Sequence, residues 1–262
     1  MSEKRKVIVI GGGAAGMMAA YAAAKEGSAV FLFEKNEKLG KKLFITGKGR
    51  CNLTNHTDAE GLLAHVVRNP RFLYSAFYSF DAESMMGLME SSGLKLKTER
   101  GNRVFPASDK SSDVIRTLEG LLKEHGVRIS LRAPVKGLLM EKGVCQGILF
   151  ADGREMRADA VIVATGGLSY PSTGSTGDGY LFAKTAALEV KEAIPSLVPF
   201  EAEEEYIKRL QGVSLKNVSL KLFSGKKKLF GEQGEMRFTH FGVSGPLVLT
   251  ASTRISGMEV SK

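Results

Sequence analysis

The stretch VIVIGGGAAG at residues 7–16 decides the fold class of this chain. Val7 to Ile10 form a continuous apolar, β-branched run, which is typical of a parallel strand buried on both faces. The run leads directly into Gly11, Gly13 and Gly16, the G-x-G-x-x-G spacing that joins a strand to a helix around a pyrophosphate. The sequence therefore predicts a dinucleotide-binding βαβ unit.

The residues that follow the glycines complete this unit. Ala14 to Lys25 is predicted to be helical, so its N-terminal amides and positive dipole end face the phosphates. Gly27 ends the helix and Ala29 to Phe33 forms the second strand. Glu34 follows, where a carboxylate accepts both hydroxyls of an adenosine ribose and repels the 2′-phosphate of NADP. A glycine-rich turn of another α/β protein is the alternative, but it does not explain why strand, helix and acid occur together.

Composition indicates a globular protein from a reducing compartment. The 262 residues, 43% hydrophobic and 25% charged, are enough for a large core and two domains. The two cysteines, Cys51 and Cys145, exclude a disulfide framework, and the lack of a C-x-x-C sequence excludes a dithiol flavoenzyme of the thioredoxin-reductase type. No stretch approaches the ~20 apolar residues of a membrane span. A cytoplasmic location is predicted, with no membrane partner and no metal site.

The net charge of +9 has two interpretations, solubility or attraction for anionic nucleotides or an acidic substrate. The strongest cluster, Lys226-Lys227-Lys228, lies in a GKKK sequence that predicts a hairpin turn. A solvated turn is favoured over nucleic-acid binding, because no basic stripe with interleaved aromatic residues accompanies the cluster. A small-molecule substrate is therefore expected, and a nucleic-acid partner is not.

The rest of the chain predicts an α/β fold with a domain boundary near residue 193, beyond which short strands and turn residues predominate. Helices are predicted within 57–93, over 113–124 and, after the glycine-rich segment 174–180, through about residue 188. Strands are predicted at Val135–Met140, Val144–Phe150 and Glu155–Arg157 as an antiparallel meander, at Ala160–Ala164 as a buried parallel strand, and beyond the boundary at Val213–Phe223, Lys228–Phe230 and Met236–Thr239.

Four segments resemble one flavoprotein family. They are GGGAAGMMAA (11–20) with FEK (33–35), KLFITGKGRCNLTN (42–55), ATGGLSYPSTGSTGDGY (164–180) and GEMRFTHFGVSGPLVLTAS (234–252). The chain resembles the two-dinucleotide-binding-domain flavoproteins related to the fumarate reductase flavoprotein, and among them the BaiN-like NAD(P)/FAD-dependent oxidoreductases. The resemblance spans nearly the whole chain and implies FAD as the cofactor.

The resemblance implies a Rossmann-like FAD-binding domain at residues 1–192, built from a parallel sheet and a β-meander. An inserted, β-rich domain would occupy residues 193–262. Members of the family return from the inserted domain to the FAD-binding domain, and no such segment follows Lys262. A sequence truncated at its C-terminus is therefore expected, with both domains incomplete and an apolar sheet edge exposed.

The resemblance also implies the cofactor contacts. The glycine loop would hold the pyrophosphate, Glu34 the adenosine ribose and Val135 the adenine, while the loop of residues 46–52 would run along the flavin. Ala164 to Gly167 would pass by the cofactor, with Asp178-Gly179 nearby. The complete predicted set is Gly11, Gly13, Ala14, Ala15, Gly16, Glu34, Lys35, Lys42, Thr46, Gly47, Gly49, Arg50, Cys51, Asn52, Val135, Ala164, Thr165, Gly166, Gly167, Asp178 and Gly179.

Three side chains are candidates for chemistry. Arg50 is expected to neutralise flavin or pyrophosphate charge or to bind an acidic substrate, because the glycine turns beside it aim it inward. Cys51 is either a redox thiol or a packed thiol, and packing is favoured because it has no partner cysteine and no adjacent histidine. His240 is either a proton donor to the substrate or a structural histidine, and the structural role is favoured.

The predicted function is a flavin-dependent oxidoreductase. NAD(P)H would reduce FAD, and the reduced flavin would reduce an unknown small organic acceptor, with an activated C=C bond as the suggested target. No second G-x-G-x-x-G exists, so the nicotinamide would react from the substrate cleft. Two alternatives stay open: an inactive, truncated FAD-binding fragment, and a flavin-dependent RNA-modifying protein, which the net charge suggests. The sequence decides neither the acceptor, nor NADH against NADPH, nor the oligomeric state.

Overall fold

The structure is a computed structural model that describes residues 4–258. The chain divides into two compact units. The first comprises the described residues up to Val66 together with Pro70–Val190, and the second comprises Val67–Asn69 together with residues 191–258.

The first unit alternates helices and strands. Its elements are β1 (Lys6–Ile10), α1 (Ala14–Lys25), β2 (Ala29–Phe33), α2 (Lys41–Ile45), β3 (Thr54–Asn55), α3 (Ala59–Ala64), α4 (Tyr74–Ser79), α5 (Ala82–Ser91), β4 (Leu96–Glu99), β5 (Arg103–Pro106), α6 (Ser111–Glu124), β6 (Arg128–Ser130), β7 (Val135–Glu141), β8 (Val144–Phe150), β9 (Glu155–Arg157), β10 (Ala160–Val163) and α7 (Asp178–Thr185). The predicted α/β class, the βαβ unit and the meander β7-β8-β9 are confirmed.

A parallel sheet in the order β10-β1-β2-β6 forms the centre of this unit. One face of β1, including the fully buried Val9, packs against α1 and α6 through residues such as Met17 and Leu122. The other face, including Ile8, packs against the meander through Ile148. Because β1 is covered on both faces, it carries the uninterrupted apolar run of the sequence.

The strand β10 departs from its prediction. Ala160–Ala164 is predicted to be buried, yet β10 is partly exposed and 40% of the Val163 surface is open. The reason is its place at the edge of the sheet, where β1 is its one hydrogen-bonded neighbour among the described strands. Periodicity records apolar residues, but it does not record which strand lies at an edge.

The helix predicted through residue 188 is also shorter than expected. The helix α7 ends at Thr185, and Ala187 adopts a left-handed conformation with a φ of 56°. A residue in that conformation cannot continue a right-handed helix, so the chain turns away.

The second unit is a small antiparallel sheet with helices. It contains β11 (Phe200–Glu201), α8 (Tyr206–Arg209), β12 (Ser214–Ser224), β13 (Lys227–Phe238), β14 (Gly242–Ser244) and α9 (Pro246–Ser252), with the sheet order β11-β14-β13-β12. The strands predicted at 228–230 and 236–239 are one strand, β13. The intervening glycines, Gly231 and Gly234, stay paired with β12 instead of forming a turn. The core of this unit contains Phe230, Leu247 and Ala251.

Candidate functional site: a cavity at the switch point of the parallel sheet

A cavity of about 530 Å³ opens at the carboxyl edge of the parallel sheet. The chain passes from β1 to β2 on one side and returns to β10 on the other, so the strand order reverses between β1 and β10, where ligands of doubly wound folds bind. The lining residues come from the segments that leave β1, β2 and β10, and from α2, β7 and the start of α7. They are Ile10–Ala15, Phe33–Asn36, Gly40–Leu43, Thr46, Ala133, Val135, Val163–Gly166, Thr173–Ser175 and Asp178.

The glycine loop leaves room for a ligand beside the start of α1. Gly13 is the N-cap of α1, and no side chain caps the helix. A Cβ on Gly13 would meet no atom within 4 Å, whereas a Cβ on Gly11 would lie 2.5 Å from the Ala164 carbonyl oxygen and one on Gly16 1.8 Å from the Gly11 carbonyl oxygen. Gly11 and Gly16 are therefore required for packing, and Gly13 keeps the approach to the helix amides open.

The Glu34 carboxylate organises the loops around the cavity. The side chain is 7% exposed and accepts hydrogen bonds from the Gly12 amide at 2.6 Å, the Asn36 amide at 2.8 Å and Asn36 Nδ2 at 2.7 Å. A carboxylate has about four acceptor positions. Glu34 can therefore fix the glycine loop and still accept a hydrogen bond from a ligand in the cavity.

An ion pair joins the end of β2 to the start of α7. Lys35 Nζ donates to Asp178 Oδ2 and to Thr176 Oγ1, both at 2.7 Å. Partial burial raises the pKa of Asp178, but the hydrogen bonds from Lys35 and Thr176 outweigh it and hold the pKa below its ordinary value. The carboxylate is therefore ionised at neutral pH, and the pair closes one side of the cavity.

Two further lysines, Lys41 and Lys42, lie at the start of α2. Lys41 pairs with Glu37 at 3.3 Å, while Lys42 lines the cavity and forms no ion pair within residues 4–258. An unpaired ammonium group and uncapped helix amides are both partners for an anion. The cavity therefore has the electrostatic character of a phosphate site.

The structure brings many of the predicted site residues to this cavity. Gly11, Gly13, Ala14, Ala15, Glu34, Lys35, Lys42, Thr46, Val135, Ala164, Thr165, Gly166 and Asp178 line it. Gly16, Gly47, Gly49, Arg50, Cys51, Asn52, Gly167 and Gly179 lie outside the lining. A contact of these eight residues with a cofactor stays a prediction.

Arg50 does not point into the cavity. Its guanidinium pairs with Glu99 and Asp109, and it lies 4.2 Å from the centre of the Phe105 ring. Asp109 is shared with Lys97 at 2.6 Å. The hydrogen bonds that Arg50 donates to Glu99 and Asp109 raise the pKa of its guanidinium. The glycine turns beside Arg50 predict that its side chain points inward, and the structure differs. Two carboxylates on other segments, Glu99 and Asp109, hold the guanidinium away from the cavity.

The other two candidates for chemistry, Cys51 and His240, lie in the core and at the surface, respectively. Cys51 is fully buried in the core of the first unit, and burial raises the pKa of its thiol. A buried neutral thiol fits the packed-thiol interpretation. His240 lies in the second unit and is exposed, and its ring is nearly perpendicular to that of Phe241, with 4.8 Å between the ring centres.

Sequence reasoning missed the residues that support Glu34. Asn36 bonds Glu34 and also donates to the Thr173 carbonyl oxygen at 3.2 Å, so it links the β2 loop to the segment before α7. Gly174 has a φ of 99°, and a Cβ there would lie 2.5 Å from Asn36 Nδ2. No sequence signal pointed to Asn36 or to this close approach.

Comparison with known families identifies the chain. Residues 5–238 match the family described as the HI0933-like protein Rossmann domain. The chain belongs to this family. The predicted resemblance and the flavoprotein class are therefore confirmed at the level of the family.

The names of individual relatives describe two different enzymatic activities. The chain is 34% identical over 241 residues to a 3-dehydro-bile acid delta(4,6)-reductase from Clostridium scindens, covering 91% of this chain and 57% of the relative. It is 31% identical over 257 residues to a ribosomal RNA dihydrouridine synthase from Haemophilus influenzae, covering 96% of this chain and 62% of the relative. The chain thus spans less than two thirds of the length of these relatives.

The fold is shared with solved flavoproteins. A flavocytochrome c3 fumarate reductase in its open conformation superimposes with a TM-score of 0.58 at 23% identity, over 82% of this chain and 47% of that chain. At this identity the likeness concerns the fold. Within residues 4–258, no helix is long and apolar enough to cross a membrane.

Proposed function

We propose that this protein binds FAD in the cavity at the switch point and reduces a C=C bond conjugated to a carbonyl group in a small organic acceptor, with NAD(P)H as the electron donor. The observation that carries the cofactor assignment is the glycine loop. It leaves open space at Gly13, in front of the uncapped amides of a helix, inside a cavity that also contains Glu34 and Lys42.

The residues present fit FAD. The amides of Ala14 and Ala15 and the Lys42 ammonium would bind the pyrophosphate, and Glu34 would accept the ribose hydroxyls. Val135 lines the same cavity and would lie at the adenine. On this basis we assign residues 1–192 to an FAD-binding domain and residues 193–262 to an inserted domain.

Bound FAD supplies hydride transfer, and the protein supplies position and charge. The Lys35–Asp178 pair would hold the wall formed by α7, and Glu34 would keep the glycine loop in its binding conformation. The relatives suggest the reaction. A 3-dehydro, delta(4,6) substrate and a uracil ring share a C=C bond conjugated to a carbonyl. Such a bond accepts a hydride at the carbon distant from the carbonyl and a proton at the carbon next to it.

Anaerobic titration of the purified, FAD-loaded protein tests this function. NADH or NADPH should bleach the visible flavin absorbance, and a 3-oxo-Δ4 steroid should restore it in stoichiometric amounts. A protein that retains FAD but bleaches with neither nicotinamide would support the alternative of a binding fragment without turnover. A protein that takes up no flavin would contradict the proposal.

Reduction of a uracil base in RNA is the second candidate. A ribosomal RNA dihydrouridine synthase is among the relatives, and the net charge of +9 suits a polyanionic substrate. The same anaerobic assay decides between the candidates. Restoration of the flavin spectrum by uridine-containing RNA, and not by the steroid, would favour the second.

A further inference from the structure

We infer that the hairpin formed by β12 and β13, here called the lysine hairpin (residues 214–238), is a binding surface for single-stranded RNA. The inference deepens the second candidate function and rests on it for the choice of RNA. The surface itself is carried by three independent observations on charge, side-chain proximity and an exposed aromatic ring.

The first observation is the charge of the segment. Residues 206–231 contain seven Lys or Arg and no Asp or Glu. Lys216, Lys221 and Lys226–Lys228 are all exposed, and none of these five lysines forms an ion pair with any residue that the structure describes. Unpaired cations at this density attract a polyanion and release its counterions on binding.

The second observation is that the Lys228 ammonium group lies near the stem of the Lys221 side chain. The position that a Cβ of Gly231 would occupy lies 2.5 Å from Lys228 Nζ and 3.7 Å from Lys221 Cγ. Lys221 pairs directly with Gly231 across the two strands. An unpaired ammonium group beside a second lysine side chain attracts an anion, and a phosphate group has the required charge.

The third observation is an aromatic ring on the same face. Phe223 is 52% exposed and pairs with Lys228 across the strands. Side chains alternate along a strand, so Lys221 and Phe223 point to one side while the half-buried Leu220 and Leu222 point to the other. Glu232 pairs with Leu220, which assigns it to the opposite face.

Together these features form a basic stripe that contains an aromatic residue. An exposed ring between lysines lets a base stack while the phosphates contact the cations, and this is the usual way in which proteins hold single-stranded nucleic acid. The stripe is assembled across two strands. The linear sequence around Lys226–Lys228 contains these residues but does not give the strand pairing that places Lys228 opposite Phe223.

Fluorescence anisotropy of a labelled oligouridylate of about 12 nucleotides, with the full chain, tests the inference. The double variant Lys221→Gln/Lys228→Gln should bind on the order of tenfold more weakly and lower the slope of log K against log salt by about 1.4, since each phosphate contact to a single strand contributes about 0.7. Phe223→Ala should weaken binding about tenfold with an unchanged slope, because it removes stacking and no charge.

The matched control is Lys95→Gln/Lys123→Gln, which removes the same charge from two exposed lysines of the first unit that form no ion pair within residues 4–258. It should bind like the unchanged protein. Equal losses in both double variants would overturn the inference in favour of net charge alone, and so would unaltered binding by the hairpin variants. Binding to anionic lipid vesicles without binding to the oligonucleotide would also overturn it.

Flavin content and bleaching by NAD(P)H separate this inference from the proposed function. Both readouts should be identical in the hairpin variants and the control. If bleaching persists but RNA binding is absent, the RNA surface is wrong and the flavin function stands. If RNA binding depends on the hairpin while no flavin is bound, the surface stands and the oxidoreductase proposal fails.

Discussion

Gly13 and Glu34 are the two residues on which the cofactor assignment depends. Gly13 has an ordinary backbone conformation, with φ −80° and ψ −173°, so a larger residue fits the backbone, and its side chain would enter the open space beside the helix amides. Glu34 instead has a buried side chain whose oxygens already hold the loops. A substitution of Gly13 should therefore affect cofactor binding alone, whereas a substitution of Glu34 should affect both cofactor binding and the stability of the fold.

The substitution Gly13→Leu should leave the fold intact and lower the affinity for FAD at least tenfold, because the side chain occupies the position of the pyrophosphate. Gly120→Leu is the control, since Gly120 is exposed on α6 and a Cβ there also meets no atom within 4 Å. Isothermal titration with FAD measures the effect. Equal affinity in both variants would show that the ligand does not approach Gly13.

Replacing Glu34 with Ala should lower the free energy of unfolding of the flavin-free protein by about 1–3 kcal/mol, since the amides of Gly12 and Asn36 lose their acceptor. Glu37→Ala, which removes an exposed carboxylate paired with Lys41, should change it much less, because solvent screens that pair. Urea denaturation followed by circular dichroism compares the two. Similar small effects would mean that Glu34 has no structural role.

At the level of the secondary-structure elements, the contact between α1 and the end of β1 requires a glycine. A Cβ on Gly16 would lie 1.8 Å from the Gly11 carbonyl oxygen, so the helix would have to shift away from the strand. The first turn of α1 and the cavity floor would shift with it. The glycine at this position therefore sets the distance between helix and strand.

Two helical glycines should respond to alanine with opposite signs. Gly16→Ala should destabilise the flavin-free protein by about 1–3 kcal/mol through this steric clash. Gly120→Ala on α6 should stabilise it by about 0.4–1 kcal/mol, because alanine restricts the unfolded chain and meets no neighbour. Thermal and urea unfolding measure both. A stabilising Gly16→Ala would contradict the packing described for α1.

The local pattern of the sequence predicts the βαβ unit well and the cavity walls only in part. The bounds of α1 and β2 agree with their predictions, because the apolar run, the helix formers and Gly27 are all local signals. The edge position of β10, the continuity of β13 and the pairing of Arg50 with Glu99 and Asp109 depend on residues distant in sequence. Periodicity contains no information about such partners.

For the molecule as a whole, ion pairs between distant segments tie stability to pH. Asp178 pairs with Lys35, and Asp109 pairs with Lys97 and Arg50. The pKa of Asp178 lies below its ordinary value of 3.8, and the hydrogen bonds from Lys97 and Arg50 lower the pKa of Asp109. Carboxylates with lowered pKa stabilise the folded protein above their unfolded pKa, and this contribution is lost as the pH falls through the folded value.

The free energy of unfolding of the flavin-free protein should therefore decrease as the pH falls below about 4. Asp178→Asn should lower stability at neutral pH and reduce this acid-induced decrease, because the substituted side chain has no proton to gain. Urea denaturation between pH 3 and pH 7 tests the prediction. An acid-induced decrease of unchanged size in the variant would show that the Lys35–Asp178 pair contributes nothing to it.

The central claim, that the switch-point cavity is built for a flavin dinucleotide, is tested most directly by equilibrium dialysis of the protein against FAD and against FMN. FMN lacks the adenosine that Glu34 and Val135 would contact, so we expect stoichiometric retention of FAD, much weaker retention of FMN, and loss of FAD from Gly13→Leu. Equal retention of FAD and FMN, or full retention of FAD by Gly13→Leu, would contradict it.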